Sequence, residues 1–207
     1  MNNGIFFIVT APSGAGKTSL VNAVVESDDS LCVSISHTTR PARPGEIDGG
    51  NYHFVSKEQF IKMLEKGEFL ENAEVYGHHY GTSHVWVKDK LKSGTDVILE
   101  IDWQGAEQIR NLFPNACSVF ILPPSVAALS ERLQARAQDD SETIENRMRQ
   151  AVNEMTHMAE ADYAIINDNF GTAKEDLNAV IRSRRLTVKA QETRQTKLLD
   201  NLTRVDL

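Results

Sequence analysis

Apolar and polar residues follow two alternating patterns along this chain, one typical of buried strands and one typical of amphipathic helices. Short apolar runs predict strands at 5–10, 31–36, 51–55, 96–102, 117–122 and 163–166. Apolar residues three and four positions apart predict helices at 20–25, 57–66, 83–92, 105–112, 125–133, 141–155 and from 172 onward. This alternation predicts an α/β fold, in which helices cover both faces of a mostly parallel sheet.

Polar residues mark the starts of several predicted helices. Residues 56–59 (SKEQ) and 172–175 (TAKE) have the spacing of a capping box, in which two side chains bond reciprocally to free backbone N–H groups. Ser125 and Ser141 stand before two further helices. Three interpretations stay open for the basic and polar stretch 182–204: a solvated helix, a contact between two copies of the chain, or a frayed end. The solvated helix is favoured.

A glycine-rich segment joins the first predicted strand to the first predicted helix. Its residues are Ala11, Pro12, Ser13, Gly14, Ala15, Gly16, Lys17 and Thr18. Strand, glycine-rich turn and helix start together are typical of a phosphate-binding loop, whose backbone N–H groups face the anion. Lys17 is expected to contact the β- and γ-phosphates of a nucleoside triphosphate, and the Thr18 hydroxyl is expected to ligate Mg²⁺. The first glycine of the usual pattern is Ala11 here, which matters only if that position needs a positive φ.

Composition and charge exclude several classes of function. The net charge of −7 argues against general nucleic-acid binding, for which a basic surface is expected. There is no apolar run of about 18 residues to span a membrane, and no basic and apolar N-terminal segment to act as a secretory signal. Cys32 and Cys117 lie far apart in apolar runs, which favours free thiols in the cytoplasm. The 207 residues fit one domain.

A second set of candidate anion-binding residues follows the second predicted strand. Arg40 and Arg43 are three positions apart, and the proline after each of them favours an extended or turn conformation. Guanidinium groups suit a phosphate monoester, because each can donate two parallel hydrogen bonds. Two arginines alone are more often exposed surface residues, but Tyr52 and Tyr80 add hydroxyl groups that can donate to the same phosphate.

These motifs resemble those of the guanylate kinase family. Residues 36–46 (SHTTRPARPGE) and 49–55 (GGNYHFV) are similar to the segment of that family that binds GMP. The resemblance continues in the family's order and spacing through 69–71, 80–83, 100–105, 123–125 and 167–168. It covers nearly the whole chain, and the combined match is far more specific than the phosphate-binding loop alone.

The resemblance implies transfer of a phosphoryl group from ATP to GMP on a P-loop NTPase-type fold. It divides the chain into a core (1–35, 84–124 and 163–207), a GMP-binding lobe (36–83) and a helical lid (125–162). It implies that the GMP phosphate is held by Arg40, Arg43, Tyr52 and Tyr80, and that guanine is recognised by Ser36, Glu71, Thr82 and Asp102. One carboxylate such as Glu71 can accept from N1–H and N2–H₂ of guanine together, whereas adenine has neither donor.

The resemblance also implies a set of cationic and polar residues around ATP. The arginines of the lid are Arg132, Arg136 and Arg147, and the contacts on the adenine side are Asn167 and Asp168. Arg136 and Arg147 would close over the phosphates and neutralise charge during the transfer, while Arg132 either joins them or packs near the adenine base. Exposed positions on a helix are the alternative for all three arginines. Ala137 stands where the family often has glycine, which puts the flexibility of the lid in question.

Three other functions compete with a GMP kinase. A related kinase for another phosphorylated acceptor would not need the set of residues that recognises guanine. A catalytically silent module that binds phosphoproteins would have little use for Lys17 and Thr18. A P-loop GTPase switch would carry an N-K-x-D stretch downstream, and none is evident. Residues at the C-terminal helix are the candidate contact for a homo-oligomer.

Overall fold

A computed structural model describes residues 4–135 and 141–203, with side chains described for 4–134 and 148–202. Within these residues, the strands are β1 (Phe6–Thr10), β2 (Leu31–Val33), β3 (His37–Thr38), β4 (His53–Phe54), β5 (Phe69–Val75), β6 (His78–Ser83), β7 (Asp96–Glu100), β8 (Cys117–Leu122) and β9 (Tyr163–Ile166). The α-helices are α1 (Lys17–Val25), α2 (Lys57–Glu65), α3 (His84–Lys92), α4 (Trp103–Leu112), α5 (Val126–Ala135), α6 (Ser141–Thr156), α7 (Phe170–Arg185), α8 (Val188–Arg194) and α9 (Thr196–Thr203), and a 3₁₀ helix covers His157–Glu160.

The larger sheet is parallel throughout and has the strand order β2-β7-β1-β8-β9. One apolar cluster joins its residues Phe7 and Val9 to helices α1 and α7, and a second cluster joins Phe6 and Ile8 to α3 and α4. Helices therefore cover both faces, as the sequence predicts. Because the central strands are buried on both sides, they read as continuous apolar runs rather than as alternating ones.

The smaller sheet lies wholly within residues 37–83 and has the order β4-β3-β6-β5. Its longest strands, β5 and β6, form an antiparallel hairpin, whose turn contains Tyr76 and Gly77 with φ values of 52° and 75°. Phe60 of α2 packs against this sheet, with its ring 4.5 Å from that of Phe69. The sheet carries the predicted acceptor residues from β5, β6 and the loop after β3 towards the larger sheet.

Several predicted boundaries are wrong, among them those of the strands predicted at 51–55 and 96–102, which cover only His53–Phe54 and Asp96–Glu100, and two others are confirmed. The strand predicted at 31–36 ends at Val33. The last long helix is capped by Asn169, whose side chain accepts from the Thr172 N–H at 3.0 Å, so that the residues predicted as a capping box already lie inside the helix. The capping box at Ser56 is confirmed, and β9 has the predicted bounds.

The stretch 182–204 is not one continuous solvated helix. Helix α7 ends at Arg185, and Thr187 caps a new helix by accepting from the Ala190 N–H. Two of the basic residues, Arg185 and Arg194, turn inward here and contact the buried carboxylate of Asp96. Asp96 accepts from Arg185 Nε at 2.6 Å, from Arg194 Nη2, and from the Ile5 N–H at 2.6 Å. We name these three side chains, Asp96, Arg185 and Arg194, the C-terminal ion cluster.

None of the helices that the structure describes is both long enough and apolar enough to cross a bilayer.

Candidate active site

A cavity of about 560 Å³ opens where β1 and β7 end, between the two sheets. The carboxyl ends of parallel strands are the usual location of a ligand site in open α/β sheets. The residues of the predicted phosphate-binding loop that line it are Ala11, Pro12, Ser13, Gly14, Gly16, Lys17 and Thr18. The residues predicted to bind GMP that line the same cavity are Ser36, Arg40, Arg43, Tyr52, Glu71, Tyr80 and Asp102. Residues more than eighty positions apart in sequence thus share one cavity.

The phosphate-binding loop has the backbone that its glycines predict. Gly14 and Gly16 have φ values of 91° and 92°, in the left-handed region that favours glycine. Ala11 does not, because Tyr76 is the only non-glycine residue with positive φ among those described, so alanine fits the first position without strain. The loop is held from behind by Asn167, which donates from Nδ2 to the Ala15 carbonyl at 2.8 Å.

Lys17 and Thr18 both contact the end of the neighbouring strand β7. Lys17 Nζ donates to the Ile101 carbonyl at 2.9 Å, and the Thr18 hydroxyl donates to the Glu100 carboxylate. Glu100 was not among the predicted site residues. The signal was available, because an acidic residue at the end of a buried strand lies beside the phosphate loop once β7 pairs with β1. In the part of the chain that the structure describes, no three acidic, histidine or cysteine residues converge to hold a metal ion alone.

A second carboxylate outside the predicted set orders the two arginines. Glu46 accepts from Arg40 Nη2 at 2.7 Å and from the Arg43 backbone N–H at 2.7 Å. The Arg40 guanidinium also lies 5.4 Å from the centre of the Tyr52 ring, whose edge meets the ring of Tyr80. Burial raises the pKa of Tyr52 to about 12, so its hydroxyl stays a hydrogen-bond donor at neutral pH. Arg40, Tyr52 and Tyr80 thus place guanidinium and phenol hydrogen-bond donors together at one end of the cavity.

Glu71 is a buried acid with one oxygen bonded and the other against helix α4. Its side chain is only 3% exposed, and Thr82 Oγ1 donates to its Oε1 at 2.6 Å. Thr82 is in turn 3.3 Å from the Ser36 hydroxyl. Burial raises the pKa of Glu71 to about 7, against the opposing effect of the Thr82 hydrogen bond, and the nearby Asp102 raises it further. Asp102 itself caps α4 by accepting from the Gly105 N–H at 3.0 Å.

The residues predicted around ATP divide into three groups. Arg132 donates to the Asn167 carbonyl at 2.9 Å and lies close to the Ala15 carbonyl, so it braces the outer side of the phosphate loop and does not line the cavity. Asn167 is buried and Asp168 is exposed, and neither lines the cavity. Arg136 lies outside the described residues, and the Arg147 side chain does as well.

Helix α6 contributes a residue that sequence reasoning missed. Glu154 lines the cavity and accepts from the Ser13 backbone N–H at 3.2 Å. Burial raises the pKa of this carboxyl, although the Ser13 N–H and the charge of Lys17 oppose that shift. No local motif marks Glu154, because its neighbours in sequence form an ordinary polar helix. It places a carboxylate against the same loop amides that the sequence assigns to phosphate.

Comparisons with known proteins agree with this geometry. A family model described as guanylate kinase matches residues 4–184. The chain is 56% identical over 201 residues to the guanylate kinase of Pseudomonas fluorescens Pf0-1, covering 97% of this chain and 98% of that one. It is 54% identical over 194 residues to the guanylate kinase of Hahella chejuensis, covering 94% and 93%.

A solved structure gives the same result at the level of the fold. The crystal structure of guanylate kinase from Anaplasma phagocytophilum superposes with a TM-score of 0.78 at 28% identity, covering 100% of this chain and 98% of that one. Family model, full-length relatives and fold agree, and the chain therefore belongs to the guanylate kinase family, which phosphorylates GMP to GDP with ATP as the phosphate donor.

Proposed function

We propose that this protein transfers the γ-phosphoryl group of ATP to GMP, giving ADP and GDP. One observation carries the proposal: a single cavity is lined at one side by the phosphate-binding loop and at the other by Arg40, Tyr52 and Glu71. A transfer between two nucleotides needs both anions in one enclosure with their phosphates facing each other. A module that only bound phosphoproteins would not need the loop with Lys17 and Thr18.

The acceptor base is recognised by the buried carboxylate of Glu71. Because Thr82 already donates to Oε1, the other carboxylate oxygen and the remaining lone pairs can accept the two adjacent donors of guanine. These donors need the ionised acid, so binding of guanine lowers the pKa of Glu71 from its raised value. Ser36, Thr82 and Asp102 complete this set, the first two by orienting the acid and Asp102 by fixing the start of α4.

The acceptor phosphate is held by the cluster that Glu46 orders. The residues in this role are Arg40, Arg43, Tyr52 and Tyr80. Guanidinium groups can donate bidentately to phosphate oxygens, and the hydroxyl groups add directional donors. Arg40 and Arg43 are also catalytic in this proposal, because they neutralise charge on the oxygen that attacks.

The donor is held by residues 11–18, whose amides surround its phosphates. Lys17 follows the γ-phosphoryl group as it moves, and Arg136 and Arg147 close over it from the lid at 125–162. Asn167 and Arg132 hold the loop from behind, and with Asp168 they form the adenine side of the site. The GMP-binding lobe (36–83) and the lid close on the core (1–35, 84–124 and 163–207), which excludes water and prevents hydrolysis of ATP.

A magnesium ion fits the polar groups at the start of α1. The Thr18 hydroxyl would ligate it, and the Glu100 carboxylate beside Thr18 would contact it directly or through water. Both are hard oxygen ligands, and Mg²⁺ in phosphoryl-transfer sites is held by few protein groups together with phosphate oxygens. Bound there, the ion supplies neutralisation of charge on the β- and γ-phosphates.

The chemical step is an in-line displacement that needs no covalent intermediate. An oxygen of the GMP phosphate forms a bond to the γ-phosphorus, and the bond from that phosphorus to the bridging oxygen of ADP breaks. No strong general base is required, because the attacking oxygen is already an anion. The protein contributes positioning and charge stabilisation, which are the main sources of rate enhancement in phosphoryl transfer.

The proposal extends to compartment and assembly. Cys32 and Cys117 are both free, which supports a reducing compartment, the cytoplasm. Leu198 and Leu202 of α9 are 53% and 64% exposed, which supports a homo-oligomer formed through the C-terminal helices. The net charge of −7 supports small-molecule partners rather than nucleic acid.

A nucleotide panel tests the function directly. Purified protein with ATP and Mg²⁺ is given GMP, AMP, CMP, UMP or a ribose bisphosphate, and ADP release is followed by a coupled assay. We expect turnover with GMP to exceed that with each other acceptor by at least about 100-fold. A site built to hydrogen-bond one base rejects a base that leaves its buried carboxylate unpaired. Turnover with another acceptor and none with GMP would refute the proposal.

A further inference from the structure

We propose that Gly105 determines specificity, because the absence of a side chain there lets the Glu71 carboxylate occupy the position from which it recognises guanine. Gly105 is a positioning residue in this inference: it acts through Glu71 and does not touch the nucleotide. The inference rests on the proposed function, since it concerns how the same site selects its acceptor base.

The contact between the two residues is too close for a side chain at position 105 unless the Glu71 carboxylate moves. A Cβ atom built on Gly105 would lie 2.4 Å from Glu71 Oε2 and 3.1 Å from Glu71 Cδ. Ordinary van der Waals contact of a Cβ begins at 3.4 Å, so the carboxylate oxygen would have to withdraw by about 1 Å. Thr82 donates to the other oxygen of Glu71 at 2.6 Å, so a withdrawal of the carboxylate disturbs that hydrogen bond as well.

The helix has less freedom to yield than the side chain does. Gly105 is the third residue of α4, and its N–H donates to the capping carboxylate of Asp102 at 3.0 Å. The next residue, Ala106, and Ile109 are fully buried in the apolar cluster beneath the sheet. The end of the Glu71 side chain is the flexible partner, so an added methyl group displaces the carboxylate and leaves the fold intact.

Neither backbone conformation nor helix formation explains a glycine at this position. Gly105 is not among the glycines with positive φ, so its backbone conformation is open to any residue. Alanine is also the better helix former, so folding alone would favour alanine here. The neighbour nearest to the missing Cβ is the acid that the proposed function assigns to the base. The requirement for glycine is therefore a requirement of recognition.

The first test replaces Gly105 with alanine and measures both substrates. We expect the KM for GMP to rise about 10- to 100-fold, because a displacement of about 1 Å in a polar site has effects of that size. The KM for ATP should change less than about threefold, since no atom of the phosphate loop moves. The preference for GMP over inosine monophosphate, which lacks the amino group at C2, should fall in parallel.

Gly171→Ala is the matched control. Gly171 is also in the first turn of a helix, α7, and its nearest neighbour is the exposed Asn169 rather than an acid of the site. Both alanine variants should still melt in one cooperative transition, because alanine favours the helix and the nearest neighbour of each added methyl group is the end of a side chain. Only Gly105→Ala should change the KM for GMP. An equal rise in the KM for GMP in Gly171→Ala would overturn the inference, because the effect would then not depend on contact with Glu71.

A double-mutant cycle with Glu71→Asp isolates the contact. Aspartate is one methylene shorter, which withdraws the carboxylate from the space that a Cβ at position 105 would fill. Gly105→Ala should therefore raise the KM for GMP much less in the Glu71→Asp background than in the unmodified protein. Equal effects in both backgrounds, or an unchanged KM for GMP in Gly105→Ala alone, would overturn the inference. Failure of the unmodified protein to phosphorylate GMP would instead refute the proposed function.

Discussion

In the proposed function, the two ends of the cavity hold anionic ligands by different means. The donor end uses backbone amides of one continuous segment, residues 11–18, and its side chains are almost all small. The acceptor end uses side chains from β5, β6, the start of α4 and the loop after β3, which are brought together only by the fold. Backbone amides suit any polyphosphate, whereas a buried carboxylate with fixed neighbours suits one base. The comparison places generic binding at one end and selectivity at the other.

The largest effect is expected for Lys17→Ala, which should slow the chemical step and leave binding of GMP nearly unchanged. Lys17→Ala removes the charge that follows the transferred group, so kcat should fall about 10³-fold, as for loss of a preorganised charge stabiliser. Binding of GMP, measured by calorimetry without ATP, should stay within about threefold, because Lys17 lies at the donor end. Loss of GMP binding would show that the two ends are not independent.

The next largest effect is expected for Glu71→Gln, and it should be confined to the acceptor end of the cavity. Glu71→Gln should lower kcat/KM for GMP about 10²-fold, because the amide presents a donor where guanine also presents donors. The KM for ATP should stay nearly constant. Glu74→Gln, on the same strand β5 but exposed, is the matched control and should leave both constants unchanged. Equal losses for GMP and ATP in Glu71→Gln would contradict the assignment of this acid.

A smaller effect tests whether the arginine cluster is preorganised. Glu46→Gln weakens the ion pair with Arg40 at 2.7 Å and the bond to the Arg43 N–H. The KM for GMP should rise about 3- to 10-fold, the range for one lost charge-assisted hydrogen bond that positions a ligand contact. The measurement is the GMP dependence of the coupled assay at saturating ATP. An unchanged KM would mean that Glu46 does not order the guanidinium groups.

The smallest effect is a pH dependence of the KM for GMP. Burial raises the pKa of Glu71 to about 7, so in the free protein the acid becomes protonated as the pH falls below 7. Guanine binding needs the ionised form, and the KM for GMP should therefore rise about threefold between pH 7.5 and 6.5. The phosphate of GMP titrates in a nearby range. Glu71→Gln serves as the control, because it removes the contribution of the acid and keeps that of the ligand.

The same comparison explains what the sequence could predict. The phosphate loop and the Ser56 capping box depend on residues a few positions apart, so spacing alone identifies them. The parallel sheet follows from apolar runs that burial on both faces imposes. Glu100 and Glu154 escaped prediction, because each is an ordinary acid in its local sequence and gains its role from a partner 82 or 141 positions away. Glu46 is different, since its partners Arg43 and Arg40 are only three and six positions away and lay within reach of the same reasoning.

The C-terminal region shows the opposite error, in which a local pattern was misleading. The basic residues after Ile181 favoured a solvated helix, yet Arg185 and Arg194 point to a carboxylate that is completely buried. The spacing of a capping box at Thr172 was also misleading, since Asn169 caps the helix one turn earlier. Charge alone does not reveal which cations are exposed when their partner lies about ninety positions upstream.

The C-terminal ion cluster sets how short a folded fragment of this protein can be. The family match ends at residue 184, before both arginines that neutralise Asp96. A fragment trimmed to that boundary would lose both cations that contact Asp96, and breaking a buried ion pair by removing one partner costs about 3–5 kcal/mol. The family model thus covers fewer residues than the fold needs, and expression fragments of this chain need to continue beyond α8.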